Sequence, residues 1–348
     1  MKTLLKTFGK KNVLPVLNTV KLTSGYMTAT NLDMYLIGPA PLWAATKPPG
    51  LYLIEGLKTG LALPAGIDAA DFPPFTAGDY VGTVRLDAQD LANLAALKPA
   101  ISTESTRYYL NGVNFEGRDM VATTGHILLK AELSGDQSTP ADPGKAGGER
   151  INRRDGEGFI VPGAAVDVIL GLAKELKAAG AALDFHTRGL QISMNGWILF
   201  TKYIDGTFPD YNRVIPAKDK TGGLWTKFNP EHVEAVIPDL RALQKIAGEK
   251  RSASIALEFE AGRARSFYDE NKTYNLNINS PASVAYNADY MAAMPAGDWI
   301  AWDSMGPALV LGEHVTGVIM PMRTKWHQAK LDAEAAAEAE KKERASKG

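Results

Sequence analysis

The sequence predicts an α+β protein in which helices alternate with antiparallel strands. Segments with the apolar spacing of a helix are each followed by several short strand-like segments. This alternation recurs along the chain at similar spacing, which indicates structural repeats rather than one large core. The length of 348 residues exceeds the usual size of one domain, and we predict three units.

The composition bounds the class of protein. With 45% hydrophobic and 22% charged residues, the chain is typical of a globular protein. No apolar run is long enough to span a bilayer and no signal-peptide pattern is visible, so we expect a cytoplasmic protein. The absence of cysteine excludes disulfides and thiolate zinc sites. A net charge of -1 excludes a surface that is basic all over, but it allows a local basic patch.

The chain opens with an amphipathic segment, MKTLLKTFGKKN. Three apolar side chains can share one helical face: Leu4, Leu5 and Phe8. Lysines recur every four residues on another face, at Lys2, Lys6 and Lys10. The simplest interpretation of these lysines is a solvated face. The segment that follows contains short apolar runs between Pro and Gly, and we expect strands and turns there without a second clear helix.

Three more helices are predicted after residue 83. In the first, Asp87 is the N-cap with Asp90 three residues on, and Pro99 is the stop. Its apolar stripe is predicted to comprise Leu91, Leu94 and Ala95. The second helix lies in PGAAVDVILGLAKELKAAG. The third lies in FNPEHVEAVIPDLRALQKIAG, with Asn229 as N-cap, Pro230 at the first helical position, and Val233, Val236, Ile237 and Leu240 on one face.

The remaining segments are predicted as strands or linkers, apart from a short helix in YNADYMAAM. RYYLNGVNFEG and MVATTGHILLKAEL read as strands, and residues 134–158 read as a linker with too little apolar content to pack. In a strand, neighbouring side chains point to opposite faces, so at least one of Arg107, Tyr108 and Tyr109 must face outward. A tight hairpin turn is predicted at Asn111-Gly112.

Motifs for catalysis are absent from the sequence. It contains no phosphate-binding GxxxxGK, no HExxH, no GxSxG and no dinucleotide fingerprint. The histidines lack the spacing of metal ligands: His126, His186, His232, His314 and His327. We therefore predict a binding protein that is not an enzyme, with no cofactor and no metal site.

Five segments carry a resemblance to a known family. They are, in order, RYYLNGVNFEG, MVATTGHILLK, FTKYIDGTFPDYNRVIP, YNADY and VIMPMR. Their order and separations resemble those of the bacterial DNA sliding clamp, the beta subunit of DNA polymerase III. The resemblance runs from about Val84 to Arg323 and is looser before it, where the first clamp domain is shorter than usual. Such a divergent chain would suit a phage or plasmid clamp.

The resemblance implies an architecture and partners. A DNA-clamp fold has tandem pseudo-symmetric domains with sheets outside and helices lining a ring, which two protomers close around duplex DNA. The expected domains are 1–82 (shortened), 83–216 and 217–324, followed by a charged tail, 325–348. Expected partners are duplex DNA, a DNA polymerase, a clamp loader and a second copy of the chain. A clamp that slides holds phosphates rather than reading bases, so only its lining needs to be basic.

The resemblance also places DNA contacts. Candidate pore residues are Lys2, Lys6, Lys10, Lys11, Lys98, Lys174, Lys177 and Lys245. Arg107 and Tyr108 or Tyr109 would touch DNA where it leaves the ring, because arginine binds phosphate and tyrosine stacks on exposed bases. The alternative is that one tyrosine packs in the core and Arg107 pairs with a carboxylate. For Asn111-Gly112, the resemblance favours a kink or bulge in a continuing strand.

The last implication is a groove for short peptides of polymerase, loader and repair proteins. Its candidate residues are Leu110, Thr123, Gly125, His126, Leu128, Pro209, Arg213, Val214, Asn287, Tyr290, Val318, Met320, Pro321, Met322 and Arg323. Methionines suit a pocket that accepts several partners, since they repack at low cost. Ile127 stands where the family commonly has a basic residue, which would shift the preference towards apolar ligands. The alternative function is a non-encircling adaptor or decoy that binds clamp-binding peptides.

Overall fold

The computed structural model describes residues 1–9, 11–45, 47–60, 64–134, 158–218, 220–260, 263–281, 284–324 and 332. Residues 135–157 of the predicted linker lie outside the described residues, as do almost all of the predicted tail and Lys10. No helix in the described part of the chain is long and apolar enough to cross a membrane. The helices are α1 Lys2–Phe8, α2 Leu42–Ala45, α3 Ile54–Thr59, α4 Ala88–Leu97, α5 Gly163–Leu176, α6 Pro230–Glu234, α7 Ile237–Ile246 and α8 Ala288–Ala292.

The strands are short and antiparallel. They are β1 Thr19–Thr23, β2 Tyr26–Thr30, β3 Met34–Pro39, β4 Gly50–Leu53, β5 Tyr80–Leu86, β6 Gly112–Glu116, β7 Asp119–Thr123, β8 Ile127–Glu132, β9 Phe159–Pro162, β10 Ala181–His186, β11 Gly189–Met194, β12 Trp197–Lys202, β13 Leu224–Phe228, β14 Ala256–Glu260, β15 Arg263–Ser266, β16 Asp269–Tyr274, β17 Val284–Asn287, β18 Gly297–Ala301, β19 Ala308–Gly312 and β20 Val315–Ile319. The predicted α+β class with antiparallel sheets is confirmed.

The chain divides into two compact units. Unit 1 comprises Met1–Ala122 and Ala131–Phe208, and unit 2 comprises Thr123–Lys130 and the described residues from Pro209 on. The three-domain division with boundaries at 82/83 and 216/217 stays a prediction.

Unit 1 contains a sheet in the order β4-β1-β2-β3-β12-β11-β10-β5. Pairing of β3 with β12, with Leu36 opposite Leu199, joins the first strands of the chain to strands more than 150 residues later. A second group of strands, β7-β6-β9, packs beside α5. The ring of Phe185, which is fully buried, contacts those of Phe115 and Phe159 at centroid distances of 5.8 and 5.1 Å.

Unit 2 contains the strand order β13-β18-β19-β20-β8 and a separate sheet β16-β15-β14-β17. Trp299, fully buried, lies 5.1 Å from the ring of Phe228 and 5.2 Å from that of Tyr286. Helix α8 begins directly after β17 and buries Ala288 and Met291. The end of β17 and the start of α8 therefore have a fixed position in this core.

Several helix predictions are confirmed. Helix α1 buries Leu4 and Phe8, while Leu5 is half-buried. In α4, the Asp87 carboxylate accepts the Asp90 amide at 2.8 Å, and the Asp90 carboxylate accepts the Asp87 amide at 3.1 Å. This reciprocal capping box satisfies amides that have no partner within the helix.

Other predictions were wrong in detail. The segment expected to lack a second helix contains α2 and α3. Ala95 is exposed, and Leu97 completes the stripe of α4. The segment after Asn229 forms two helices, α6 and α7, because Pro238 has no amide to continue the ladder and its ring would clash with the preceding turn. Val236 and Ile237 are consequently only half-buried.

Candidate functional site

The turn between β7 and β8 forms the centre of the candidate groove in unit 2. The Thr123 hydroxyl donates to the Ile127 carbonyl at 2.7 Å and accepts the Gly125 amide at 2.9 Å. The Thr124 amide donates to the Ile127 carbonyl at 3.1 Å, and the Thr124 hydroxyl accepts the amides of His126 and Ile127, both at 3.2 Å. Gly125 has φ +87°, a left-handed conformation that suits glycine. These bonds present His126 at the surface.

The segment after β20 bonds to two other strands of unit 2. The Met320 amide donates to the His126 carbonyl at 2.9 Å, and the Met322 amide donates to the Ala285 carbonyl at 2.7 Å. Pro321 stands between them and has no amide to donate. This segment thus holds a fixed extended path, along which Met320 is 39% exposed, Met322 is half-buried and Arg323 is exposed.

An aromatic pair lies beside this segment. The His126 and Tyr290 rings stack with 6.0 Å between centroids and 20° between planes. Tyr290 sits in the first turn of α8, where the buried Asn287 side chain accepts the Asp289 amide at 2.9 Å and the Tyr290 amide at 3.4 Å. Asn287 therefore acts by capping the helix that positions Tyr290.

The FPDYNRV segment is anchored in unit 2 by Tyr211. Tyr211 is buried, and the Lys130 ammonium lies 5.4 Å from its ring centroid. Around this anchor, Pro209, Arg213 and Val214 are exposed, Val214 by 47%. An exposed valine beside an arginine offers an apolar contact with a cation at its edge.

Burial separates the candidate groove residues into two groups. The buried candidates of unit 2 are Thr123, Leu128, Asn287 and Val318, which pack beneath its surface. Leu110 is also buried, but it belongs to unit 1. All other candidates belong to unit 2. Ile127 is 2% exposed, and the shift in peptide preference expected from the missing basic residue stays a prediction. The side chain points into the core and offers a peptide no surface.

The Arg-Tyr-Tyr segment is not a strand. Tyr108–Leu110 forms a single 3₁₀ turn, and β6 begins only at Gly112, so both the hairpin turn and the bulge in a continuing strand were wrong. Arg107 donates to both Glu104 carboxylate oxygens at 2.9 Å, which is the carboxylate pairing kept open as the alternative. Tyr108 is 52% exposed, whereas Tyr109 is half-buried.

Helix α1, which carries Lys2 and Lys6, docks on α5, which carries Lys174. The Glu175 carboxylate accepts the Lys2 and Thr3 amides at 2.9 and 2.8 Å and the amino group of Met1. Partial burial would raise the pKa of Glu175, but these hydrogen bonds outweigh it and lower the pKa from 4.5 to about 2. The docking therefore fixes the Lys2 backbone against the last turn of α5, the turn that also contains Lys174.

The exposure of the lysines agrees with a role at the surface. Exposed members of the candidate set are Lys2, Lys6, Lys11, Lys98, Lys174, Lys177 and Lys245. Lys98 lies 2.5 Å from the Asp167 carboxylate, so part of its charge is neutralised. Sequence reasoning missed Glu175 and Tyr211, which hold these surfaces in place through partners distant in the chain.

Curated proteins that resemble this chain are bacterial beta sliding clamps. No protein-family model matches the chain. The beta sliding clamp of Caulobacter vibrioides is 27% identical over 377 aligned residues, covering 90% of this chain and 94% of the relative. That of Rickettsia felis is 23% identical, covering 83% of this chain and 87% of the relative.

Solved structures show the same fold. A Caulobacter crescentus beta sliding clamp, described with PEG bound to a putative beta-motif tethering region, superposes with a TM-score of 0.71 at 23% identity, covering 93% and 97% of the two chains. A Bartonella birtlesii DnaN sliding clamp bound to griselimycin gives 0.70 at 20% identity, covering 93% and 96%. The fold is thus that of a DNA clamp. The sequence relatives are likewise bacterial beta sliding clamps, so the chain resembles these proteins in sequence as well as in fold.

Proposed function

We propose that the protein is a DNA sliding clamp, a processivity factor that closes around duplex DNA as a ring-shaped homodimer. It tethers a replicative polymerase through a peptide groove and is opened by a clamp loader. It carries out no catalysis, in keeping with relatives that are named as sliding clamps. The observation that carries the proposal is the array of exposed and half-buried side chains Val214, Tyr290, Met320 and Met322 held on fixed backbone in unit 2.

The groove assignment rests on chemistry suited to short apolar peptides. Exposed large apolar side chains are expensive to leave in water, and grouped ones are typical of binding sites. Fixed backbone lowers the conformational entropy lost on binding. Methionines add tolerance, since their unbranched side chains repack around different ligands.

The DNA contacts are proposed for the lysine-bearing helices. Lys2 and Lys6 on α1 and Lys174 and Lys177 at the end of α5 form a cationic surface that holds phosphates without reading bases. Lys11, Lys245, Arg107 and Tyr108 remain further candidates, as does Lys10. A replication clamp acts in the cytoplasm, and we extend this proposal to association with the nucleoid.

The native mass in solution tests ring formation. Light scattering on a sizing column, across a dilution series, should give twice the chain mass and hold that value into the low micromolar range. A mass of one chain at every concentration would contradict the homodimer, and it would favour an adaptor that binds peptides without encircling DNA.

A further inference from the structure

A turn in unit 1 repeats the turn that presents His126. At residues 30–34, the Thr30 hydroxyl donates to the Met34 carbonyl at 2.9 Å and accepts the Leu32 amide at 3.0 Å. The Asn31 amide donates to the Met34 carbonyl at 3.2 Å. The Asn31 side-chain oxygen accepts the amides of Asp33 and Met34 at 3.2 and 2.8 Å. Every bond of the turn at residues 123–127 has its counterpart here.

The backbone conformation matches as well. Leu32 has φ +79°, where the equivalent Gly125 has φ +87°. A leucine in the left-handed region is strained, because its Cβ approaches the following carbonyl. Leu32 is also 36% exposed, so burial offsets little of this cost. Strain of this kind persists where the surrounding structure enforces it, and it is concentrated at functional sites.

A pocket of about 520 Å³ opens beside Leu32, entirely within unit 1. We call it the unit-1 pocket, and its main lining residues are Leu32, Pro73, Pro74, Phe75, Arg188 and Lys202. The Phe-Pro pair at 72–73 also recurs as Phe208-Pro209, just before the segment assigned to the unit-2 groove. Both the turn and the Phe-Pro segment of the groove therefore have counterparts here.

The floor of the unit-1 pocket is already formed. The Tyr35 hydroxyl donates to the Pro74 carbonyl at 3.1 Å, which fixes the proline segment over β3. The Phe75 ring lies 5.1 Å from the Tyr35 ring and 4.7 Å from that of Phe200. A Cβ at Gly189 would stand 2.6 Å from the Thr201 carbonyl oxygen and 3.2 Å from the Phe75 ring, so glycine permits this close packing. A ligand would meet an apolar surface that needs little ordering.

The rim of the pocket is positively charged. Arg188 and Lys202 are exposed, and no lining residue is acidic. Lys202 lies 3.3 Å from Asp33 in an exposed ion pair, which a ligand carboxylate can replace at low cost. Arg188 has no ion pair within the described part of the chain. A ligand with an acidic residue beside an apolar one complements this lining.

We propose that the unit-1 pocket is a second peptide-binding site. Its occupant is a short segment of a partner protein that places a leucine or phenylalanine against Leu32 and Phe75 and an aspartate or glutamate against Arg188 and Lys202. Each protomer then holds two peptides rather than one. The pocket does not depend on ring closure, although its use by clamp partners rests on the proposed function.

The test uses the full chain and a fluorescein-labelled probe peptide, Gly-Asp-Leu-Phe-Asp-Gly, with stoichiometry measured by titration. Three proteins are compared: the unit-2 groove variant Met320→Ala with Met322→Ala, the unit-1 variant Arg188→Glu with Lys202→Glu, and a charge-matched control, Arg85→Glu with Lys47→Glu. Arg85 and Lys47 are exposed and lie outside both sites.

Two probe peptides per protein chain should bind to the wild type and to the charge-matched control. One probe peptide per chain should still bind to the groove variant. Adding Arg188→Glu with Lys202→Glu to that variant should weaken the remaining binding by about tenfold or more. If only one probe peptide binds per wild-type chain and this binding is lost in the groove variant, the second site is contradicted, while the proposed function is not. Binding that disappears only in the unit-1 variant would support the pocket and contradict the groove.

Leu32→Gly provides a variant that should keep its fold, because glycine occupies the equivalent position in the turn at residues 123–127. It removes one apolar wall of the pocket and should weaken the probe at the second site by several-fold. Unchanged affinity at that site would contradict the proposed placement of the apolar side chain.

Discussion

The amide of Met320 donates a hydrogen bond of 2.9 Å to the carbonyl of His126, and these residues are separated by almost 200 positions in the chain. One bond thereby fixes an exposed methionine beside the ring pair formed by His126 and Tyr290. The bond uses backbone groups alone, so side chains at both positions remain available to a ligand. This arrangement is what gives the candidate groove a defined shape.

Replacing both groove methionines should weaken peptide binding. Met320→Ala with Met322→Ala removes apolar contact area while the backbone bonds remain, and we expect about tenfold weaker binding of a clamp-binding peptide from a bacterial replicative polymerase. The matched control is Met305→Ala, since Met305 is 48% exposed in unit 2 and outside the groove. Fluorescence anisotropy measures both. Equal peptide affinity in the groove variant and the Met305→Ala control would mean that Met320 and Met322 do not contact the peptide.

The aromatic stack should contribute through its ring and not through its hydroxyl. Tyr290→Ala removes the ring that packs against His126 and the half-buried apolar surface that a peptide would cover, and we expect a several-fold loss of peptide affinity. Tyr290→Phe keeps the ring and should bind as the wild type does. Calorimetric titration compares the two. If Tyr290→Phe lost as much peptide affinity as Tyr290→Ala, the loss would be due to the hydroxyl and not to the ring.

The lysines of α1 should govern DNA association and its salt dependence. Lys2→Glu with Lys6→Glu removes two phosphate contacts and should lower the slope of log affinity against log salt by about 2. Lys47→Glu with Lys218→Glu changes the net charge equally at other exposed positions and should leave the slope nearly unchanged. The slope is measured from the affinity for duplex DNA across a series of salt concentrations. Identical salt slopes for this variant and the wild type would mean that Lys2 and Lys6 do not contact DNA and are ordinary solvated lysines.

Glu175 should stabilise the fold in a pH-dependent way. Its pKa is lowered on folding from 4.5 to about 2, so the native state favours the charged form. The stabilisation is therefore complete above about pH 5 and is lost as pH falls towards 2. Glu175→Gln should lower the melting temperature by several degrees at pH 7, and the difference from wild type should shrink below pH 4. A constant difference across this range would mean that the carboxylate charge is not responsible.

Local signals in the sequence predicted the elements that depend on local chemistry. The capping box of α4 is visible as two aspartates three residues apart, and the mid-segment Pro238 could have predicted the break between α6 and α7. The 3₁₀ turn at Tyr108 was missed because Arg-Tyr-Tyr fits a strand by propensity. Tertiary contacts override such weak preferences.

The groove was predictable only through the resemblance. Its geometry depends on bonds between distant residues, such as Met322 with Ala285, and no periodicity reveals these. The burial of Ile127 was likewise invisible, because a residue directly after a turn can face either side of its strand. The repeat of the turn at residues 30–34 lies in hydrogen bonds shared by dissimilar side chains, Leu32 and Gly125 among them.

The central claim, that the protein encircles duplex DNA, is tested most directly by its retention on circular DNA. The protein is loaded onto nicked circular duplex with a bacterial clamp loader and ATP, separated from free protein on a sizing column, and then the DNA is cut once. A sliding ring stays on the circle at high salt and runs off after linearisation. Equal retention on circular and linear DNA, or none on either, would contradict the account.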